Sequence, residues 1–176
     1  MQTDPHGQDY EDTGSESRDA FELLKADHRQ VQDLFTQFED ADSRRRNEIA
    51  EEVLTALETH TTIEEQAVYP AIREAVEKDE MMDEAREEHH VAKLLMKELR
   101  KLEVNDDTYP SKFKVLGEII RHHVEEEEGE MFPQAEEAGL DTVELGRNVT
   151  MLKDRLIHKR EGKGAKKPAS RRRKAA

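Results

Sequence analysis

At 176 residues the chain is long enough for one ordinary domain with tails and too short for two. A composition of 40% charged, 34% hydrophobic and 5% aromatic residues supplies narrow apolar stripes along helices rather than the broad faces of a sandwich or barrel. The chain has no cysteine, which excludes disulfides, thiolate zinc sites, iron–sulfur clusters and cysteine nucleophiles, so any metal must be held by nitrogen and oxygen.

Charge is unevenly spread. The net charge is -14, yet the chain from Lys153 onward holds eleven Lys or Arg against Asp154 and Glu161. The acidity is therefore concentrated in the first 152 residues and argues against nucleic-acid binding by the main domain. Residues 1–18 are acidic and polar, with Pro5, Gly7 and Gly14, and read as a disordered lead-in; they lack the basic and then apolar plan of a secretory signal. No run of about 18 apolar residues is available to span a bilayer. The expectation is a soluble, cytoplasmic protein with no membrane partner.

From Asp19 a helical stripe begins, with Phe21, Leu24, His28, Val31, Phe35 and Phe38 spaced by threes and fours. After a polar stretch from Glu39 to Asn47, a second stripe carries Ile49, Val53, Leu57, His60, Glu64 and Ala67, and is expected to stop or kink at Tyr69-Pro70. The third stripe, Met82, Ala85, His89, Ala92, Met96 and Leu99, halts at the turn signal Asn105-Asp106-Asp107. A fourth follows Pro110 with Phe113, Leu116, Ile120, His123, Glu127 and Met131, ending at Phe132-Pro133. Such a series predicts an all-α fold, an up-down-up-down four-helix bundle, with a further packing helix over roughly Asp141 to Ile157. The bundle and that helix occupy 19–157, and a basic disordered tail 158–176 follows.

The two halves of this pattern repeat. His60, Glu64, Glu65, Tyr69 and Pro70 recur as His123, Glu127, Glu128, Phe132 and Pro133 at an offset of 63, while Asp27-His28 recurs as Glu88-His89 at an offset of 61. Residues four apart share one helix face, so His60 with Glu64 and His123 with Glu127 can each grip one centre. Both pairs continue the apolar stripe: His60 lies seven residues from Val53, Glu64 seven from Leu57 and His123 seven from Leu116. Ionisable groups in a bundle core are costly unless paired or bound to metal, and here six converge. Imidazole with carboxylate and no thiolate suits iron, manganese, zinc or copper. Four histidines and two glutamates match two ions, each with two histidines, bridged by both carboxylates. His89 is preferred over His90 because it aligns with His28 and continues the stripe; His90 and His122 face about 100 degrees away.

These residues resemble the hemerythrin, or HHE cation-binding, family over about Ala20 to Leu156. The resemblance implies two non-haem metal ions, iron first with manganese or zinc as alternatives, held by His28, His60, Glu64, His89, His123 and Glu127. Oxygen-carrying members have a fifth histidine one turn after the third, where this chain has Lys93, and they space the last carboxylate differently. A more symmetric and open site is expected, suited to a small ligand: peroxide, dioxygen or nitric oxide.

Lys93, one turn from His89, reads first as a lysine snorkelling at the bundle rim and second as a candidate to steady a bound peroxide or hydroxide; Tyr69 and Phe132 read as caps of the core, with Tyr69 also a candidate to bring a phenol near the metals. Glu65 and Glu128, one residue off the ligand face, read as groups facing solvent or standing behind the ligands, where an acid can orient a histidine. The functional expectation is a di-iron protein that binds or reduces a small oxidant or gas, with catalase- or peroxidase-like activity preferred. A metal store or an iron or oxygen sensor is the alternative, and a helical scaffold whose basic 159–176 tail touches nucleic acid weakly is a second. No Ser-His-Asp set, phosphate-binding glycine loop or dinucleotide fingerprint is present in the sequence.

Overall fold

A computed structural model of the chain describes residues 18–76 and 80–164. Its elements are α1 (Ala20–Asp40), α2 (Ser43–Ile63), a π-helical turn π1 (Glu64–Val68), α3 (Tyr69–Ala75), α4 (Glu80–Leu99), α5 (Tyr109–Glu126), a second turn π2 (Glu127–Met131), α6 (Phe132–Glu137) and α7 (Thr142–Gly164). No strand occurs among the described residues, and none of their helices is long and apolar enough to cross a membrane. The expected acidic lead-in and most of the basic tail lie outside the described residues.

The bundle is all-helical as the stripes require, and the ends of its helices follow from local chemistry. Asp19 caps α1, its carboxylate accepting from the Phe21 and Glu22 amides at 2.8 and 3.2 Å. Asp42 caps α2 by accepting from the Arg45 amide at 2.9 Å, so the connection is only Ala41 and Asp42 and the polar stretch to Asn47 is mostly helix. Before α5, Asp106 accepts from both the amide and the hydroxyl of Thr108, at 2.8 and 2.6 Å, which closes the turn. At the end of α6, Gly139 takes φ 81 and the Leu140 amide reaches back to the Ala135 carbonyl at 3.1 Å, a Schellman closure that favours glycine.

Neither aromatic-proline pair stops its helix, and what stands ahead of each is a local distortion. The second and fourth stripes do not end at Tyr69-Pro70 and Phe132-Pro133 but continue as α3 and α6. Immediately ahead of each proline the ladder widens into a π turn, in which the Tyr69 amide donates to the Glu64 carbonyl and the Phe132 amide to the Glu127 carbonyl. The helix thus slips by one residue and accommodates the ring that lacks an N–H, rather than breaking.

Buried apolar residues form two clusters. One holds Val31, Phe38, Leu54, Leu57, Phe113 and Leu116; the other holds Phe21, Leu24, Ile63, Ile72, Met82 and Phe132. His28, His60 and His89 fall between the two clusters in sequence on α1, α2 and α4, and Glu127 falls between Val124 of the first and Met131 of the second. The fifth long helix, α7, packs along α1 and α2 through Leu145 and Val149, runs to Gly164 and so extends past the expected Ile157. Its first turn is tied to the start of α1, where the Thr142 hydroxyl donates to Asp19 and Gly146 lies directly on the Arg18 carbonyl.

A methyl group at Gly146 would run into the backbone carbonyl of Arg18, an atom that cannot move without disturbing the cap of α1. Gly146→Ala is expected to cost about 1–3 kcal/mol. A thermal melt checks this, with Gly162→Ala, where an added Cβ meets open space, as the neutral control.

Candidate metal centre

Every long bundle helix contributes to one buried polar layer. His28 projects from α1, His60 from α2 with Glu64 at the start of π1, His89 from α4, and His123 from α5 with Glu127 at the start of π2. Glu64 is 0% exposed, Glu127 1% and His60, the most exposed of the six, 6%. In each half the ligand pair sits at the junction of α-helix and π turn, so the helical i, i+4 spacing holds up to the carboxylate and is relaxed only beyond it.

The rings point one way. His28 and His60 bring their Nε2 atoms to 2.9 Å from each other, and His89 and His123 theirs to 3.0 Å. His60 Nε2 stands 2.8 Å from Glu64 Oε1, His89 Nε2 3.3 Å from Glu64 Oε2, and Glu127 Oε2 lies 3.4 Å from His28 Nε2 and 3.5 Å from His123 Nε2. Donor atoms of His28, His60, Glu64 and Glu127 all fall within 4.8 Å of one another, as do those of Glu64, His89 and His123, so Glu64 is common to both groups.

Behind the rings stands a ring of acids. His28 Nδ1 is 2.7 Å from Glu128, His89 Nδ1 3.1 Å from Glu65 and His123 Nδ1 2.8 Å from Glu88. A carboxylate only accepts, so each of these Nδ1 atoms carries the hydrogen and, in the neutral ring, leaves a bare lone pair on Nε2. Two such lone pairs facing each other at 3 Å, beside carboxylate oxygens, repel unless a cation lies among them. Both oxygens of Glu64 and Oε2 of Glu127 are buried without a hydrogen bond. Nitrogen and oxygen donors of this kind, with outer acids holding the tautomer, fit a pair of transition-metal ions.

The acids obey the sequence repeat: Asp27 and Glu88 precede His28 and His89, and Glu65 and Glu128 follow Glu64 and Glu127. His60 is the exception in distance, its Nδ1 lying 4.0 Å from Asp27. Two of the acids are clamped by lysines, Glu65 by Lys93 at 2.5 Å and Asp27 by Lys153 at 2.6 and 2.7 Å. Lys93 therefore sits half-exposed at the rim and turns to Glu65, not toward the space between the histidines. His90 is exposed, as is His122, which lies 3.3 Å from Glu126 and 3.8 Å from Glu88.

Tyr69 reaches the centre. Residues five apart align on a π turn, which lifts Tyr69 over Glu64. Its hydroxyl donates to Glu127 at 2.8 Å and lies 3.3 Å from both His89 and His123 Nε2. Burial raises its pKa well above the ordinary phenol value, and the Glu64 and Glu127 charges raise it further, so it stays protonated. Its counterpart Phe132 has no polar atom to offer and stacks on Phe21 and His28 instead. Sequence reasoning singled out Tyr69 but missed Lys153, because α7 shows no ligand pattern of its own, and it passed over Asp27 and Glu88 as partners although both were visible in the repeat.

The fold and this cluster define a helical bundle with a buried His/Glu metal-binding centre. The family model for the hemerythrin HHE cation binding domain matches residues 19–135, so the chain belongs to that family. Among solved structures it resembles a hemerythrin HHE cation binding domain-containing protein, an Rv2633c homolog from Mycobacterium kansasii. The TM-score is 0.73 at 22% identity, over 85% of this chain and 94% of that one. No curated protein matches.

Without metal, protons must hold the cluster. Burial lowers the pKa of His28 and His60, but the Glu127 and Glu64 carboxylates raise His28 to about 10, and Glu64 with Asp27 raises His60 to about 9. Folded values above the unfolded one near 6.5 give stability that is complete below that pH and is lost as pH rises through about 9 to 10. The metal-free protein should therefore melt at progressively lower temperature across that range. Glu64→Gln, which removes a raising charge, should bring the loss to lower pH. Because metal must displace these protons, its affinity should rise with pH, which titration at pH 6 and 8 would read directly.

Proposed function

We propose that the chain holds two non-haem metal ions, iron in preference, and reacts with a small oxidant, hydrogen peroxide first among the candidates. The observation that carries this reading is the pair of histidine couples with Nε2 atoms 2.9 and 3.0 Å apart, their Nδ1 sides backed by acids, around two buried carboxylates. His28 and His60 would hold one ion and His89 and His123 the other, with Glu64 and Glu127 between them. A pair of irons supplies two-electron redox chemistry.

The chain's own residues supply the setting. Tyr69 keeps its proton and presents it at Glu127, beside the His89 and His123 nitrogens, where it can steady negative charge on a small ligand. Val31, Leu57, Ile120 and Val124 line the side of the four histidines facing the larger apolar cluster and exclude bulk water. The enclosed space they border is only about 10 Å³, which keeps larger substrates out. The tail's basic run lies outside the described residues. Within α7, Arg160 is engaged with the Thr55 carbonyl at 2.9 Å and Glu58 at 3.1 Å, so it offers little to a nucleic acid.

Elemental analysis of protein from iron-supplemented cells, with optical spectra before and after peroxide, tests the reading. A pair of irons per chain and a peroxide-sensitive near-ultraviolet band are expected. Metal held without peroxide turnover would favour a store or sensor, and protein that retains no metal after iron loading would sink the proposal. Tyr69→Phe is expected to keep the metal while slowing peroxide decomposition about tenfold. Lys93→Ala, which frees Glu65, should have the smaller effect.

A further inference from the structure

The two halves of the centre repeat in sequence but are not equal. Where the second half has Glu88 in direct contact with His123 Nδ1 at 2.8 Å, the first has Asp27, one methylene shorter, 4.0 Å from His60 Nδ1. Where the second half has Val124, the first has Thr61, at the repeat offset of 63. Thr61 is 1% exposed and its hydroxyl has no partner, although the neighbouring Thr59 and Thr62 donate back to the Thr55 and Glu58 carbonyls at 2.9 and 2.6 Å. His60 Nδ1 is likewise buried without a hydrogen bond. Asp27, His60 and Thr61 are three of the ten residues, Val124 among them, that line an enclosed space of about 10 Å³, the size of one water-sized sphere.

We propose that Asp27, His60 and Thr61 enclose a one-water site that makes the His28–His60 end of the centre hold its metal ion more weakly than the His89–His123 end. A separation of 4.0 Å is too long for a hydrogen bond and right for a bridging water, which here finds an Asp27 oxygen, the His60 Nδ1 hydrogen and the Thr61 hydroxyl. A directly bonded carboxylate raises the basicity of a ligand histidine. Through a water, and with Lys153 bound to both Asp27 oxygens, that effect is diluted at His60, while Glu88 exerts it in full on His123. The short acid and the added hydroxyl occur together in one half, and both are absent from the other. The inference rests on the two-ion reading above and adds an order of filling to it: the His89–His123 end first and the His28–His60 end last.

Zinc, which has no redox chemistry, is the probe. Zinc-loaded full-length chain titrated with a chromophoric chelator should release its ions in two unequal steps. Asp27→Glu with Thr61→Val copies the second half onto the first and should strengthen the weaker step about tenfold, leaving the tighter one in place. The reciprocal variant, Glu88→Asp with Val124→Thr, should weaken the tighter step by a similar factor, and it keeps the test decisive if the first variant does not fold. Two ions released in equal steps, or steps unmoved by either variant, would overturn the proposal while leaving the two-ion reading intact. A chain that binds fewer than two zinc ions at saturation would overturn both.

Discussion

Glu64 and Glu127 stand in the middle of an apolar bundle with almost no contact with water, and a carboxylate stays ionised there only if positive charge or donors meet it. Four histidines are brought within reach of these two groups, and the rest of the centre follows from keeping those histidines in place. Metal or protons can supply the positive charge. His28 and His60, two of the residues that would ligate a cation, have their pKa values driven up by the carboxylates beside them, so metal and protons compete for their lone pairs.

The secondary structure bends to this demand at two places. An unbroken α-helix would carry the residue after each ligand pair's next turn around the cylinder, and the proline that follows would cost a hydrogen bond. The π turns at Glu64–Val68 and Glu127–Met131 absorb both, placing an aromatic residue over each carboxylate. In one half that aromatic is Tyr69, with a hydroxyl that satisfies an oxygen of Glu127; in the other it is Phe132, which only packs. Helix α7 then closes the side of α1 and α2 and sends Lys153 to the acid behind His60.

Much of this was legible in the sequence, for a physical reason. The candidate ligands lie on apolar stripes at helical spacing, and the repeat at offsets of 61 and 63 set six core-facing ionisable residues apart from the many charged residues on wet faces. All-helical architecture, the bundle and the added C-terminal helix could be read from periodicity alone. What could not be read depends on distances across helices. Proline at positions 70 and 133 signals a stop by its chemistry, and nothing local announces that the ladder will widen and continue. Lys93, one turn from His89, was open to two readings from sequence, a lysine at the bundle rim or a cation toward the centre; which way it turns is decided by Glu65 on another element.

A repeat is often read as a statement of symmetry, yet here the departures from it carry the chemistry. Tyr69 against Phe132 gives the His89–His123 end a hydroxyl at the centre. Asp27 with Thr61, against Glu88 with Val124, gives the His28–His60 end a longer gap and a buried hydroxyl behind a ligand. The first difference lies beside the His89 and His123 nitrogens, the second behind the His60 ring. Both fall within a layer packed closely enough that a change of one methylene or one hydroxyl is felt, because the layer is shut off from bulk solvent. Two ends built from the same five residue types, His, Glu, an aromatic, an acid and a small side chain, are thereby made chemically distinct without altering the ligand set.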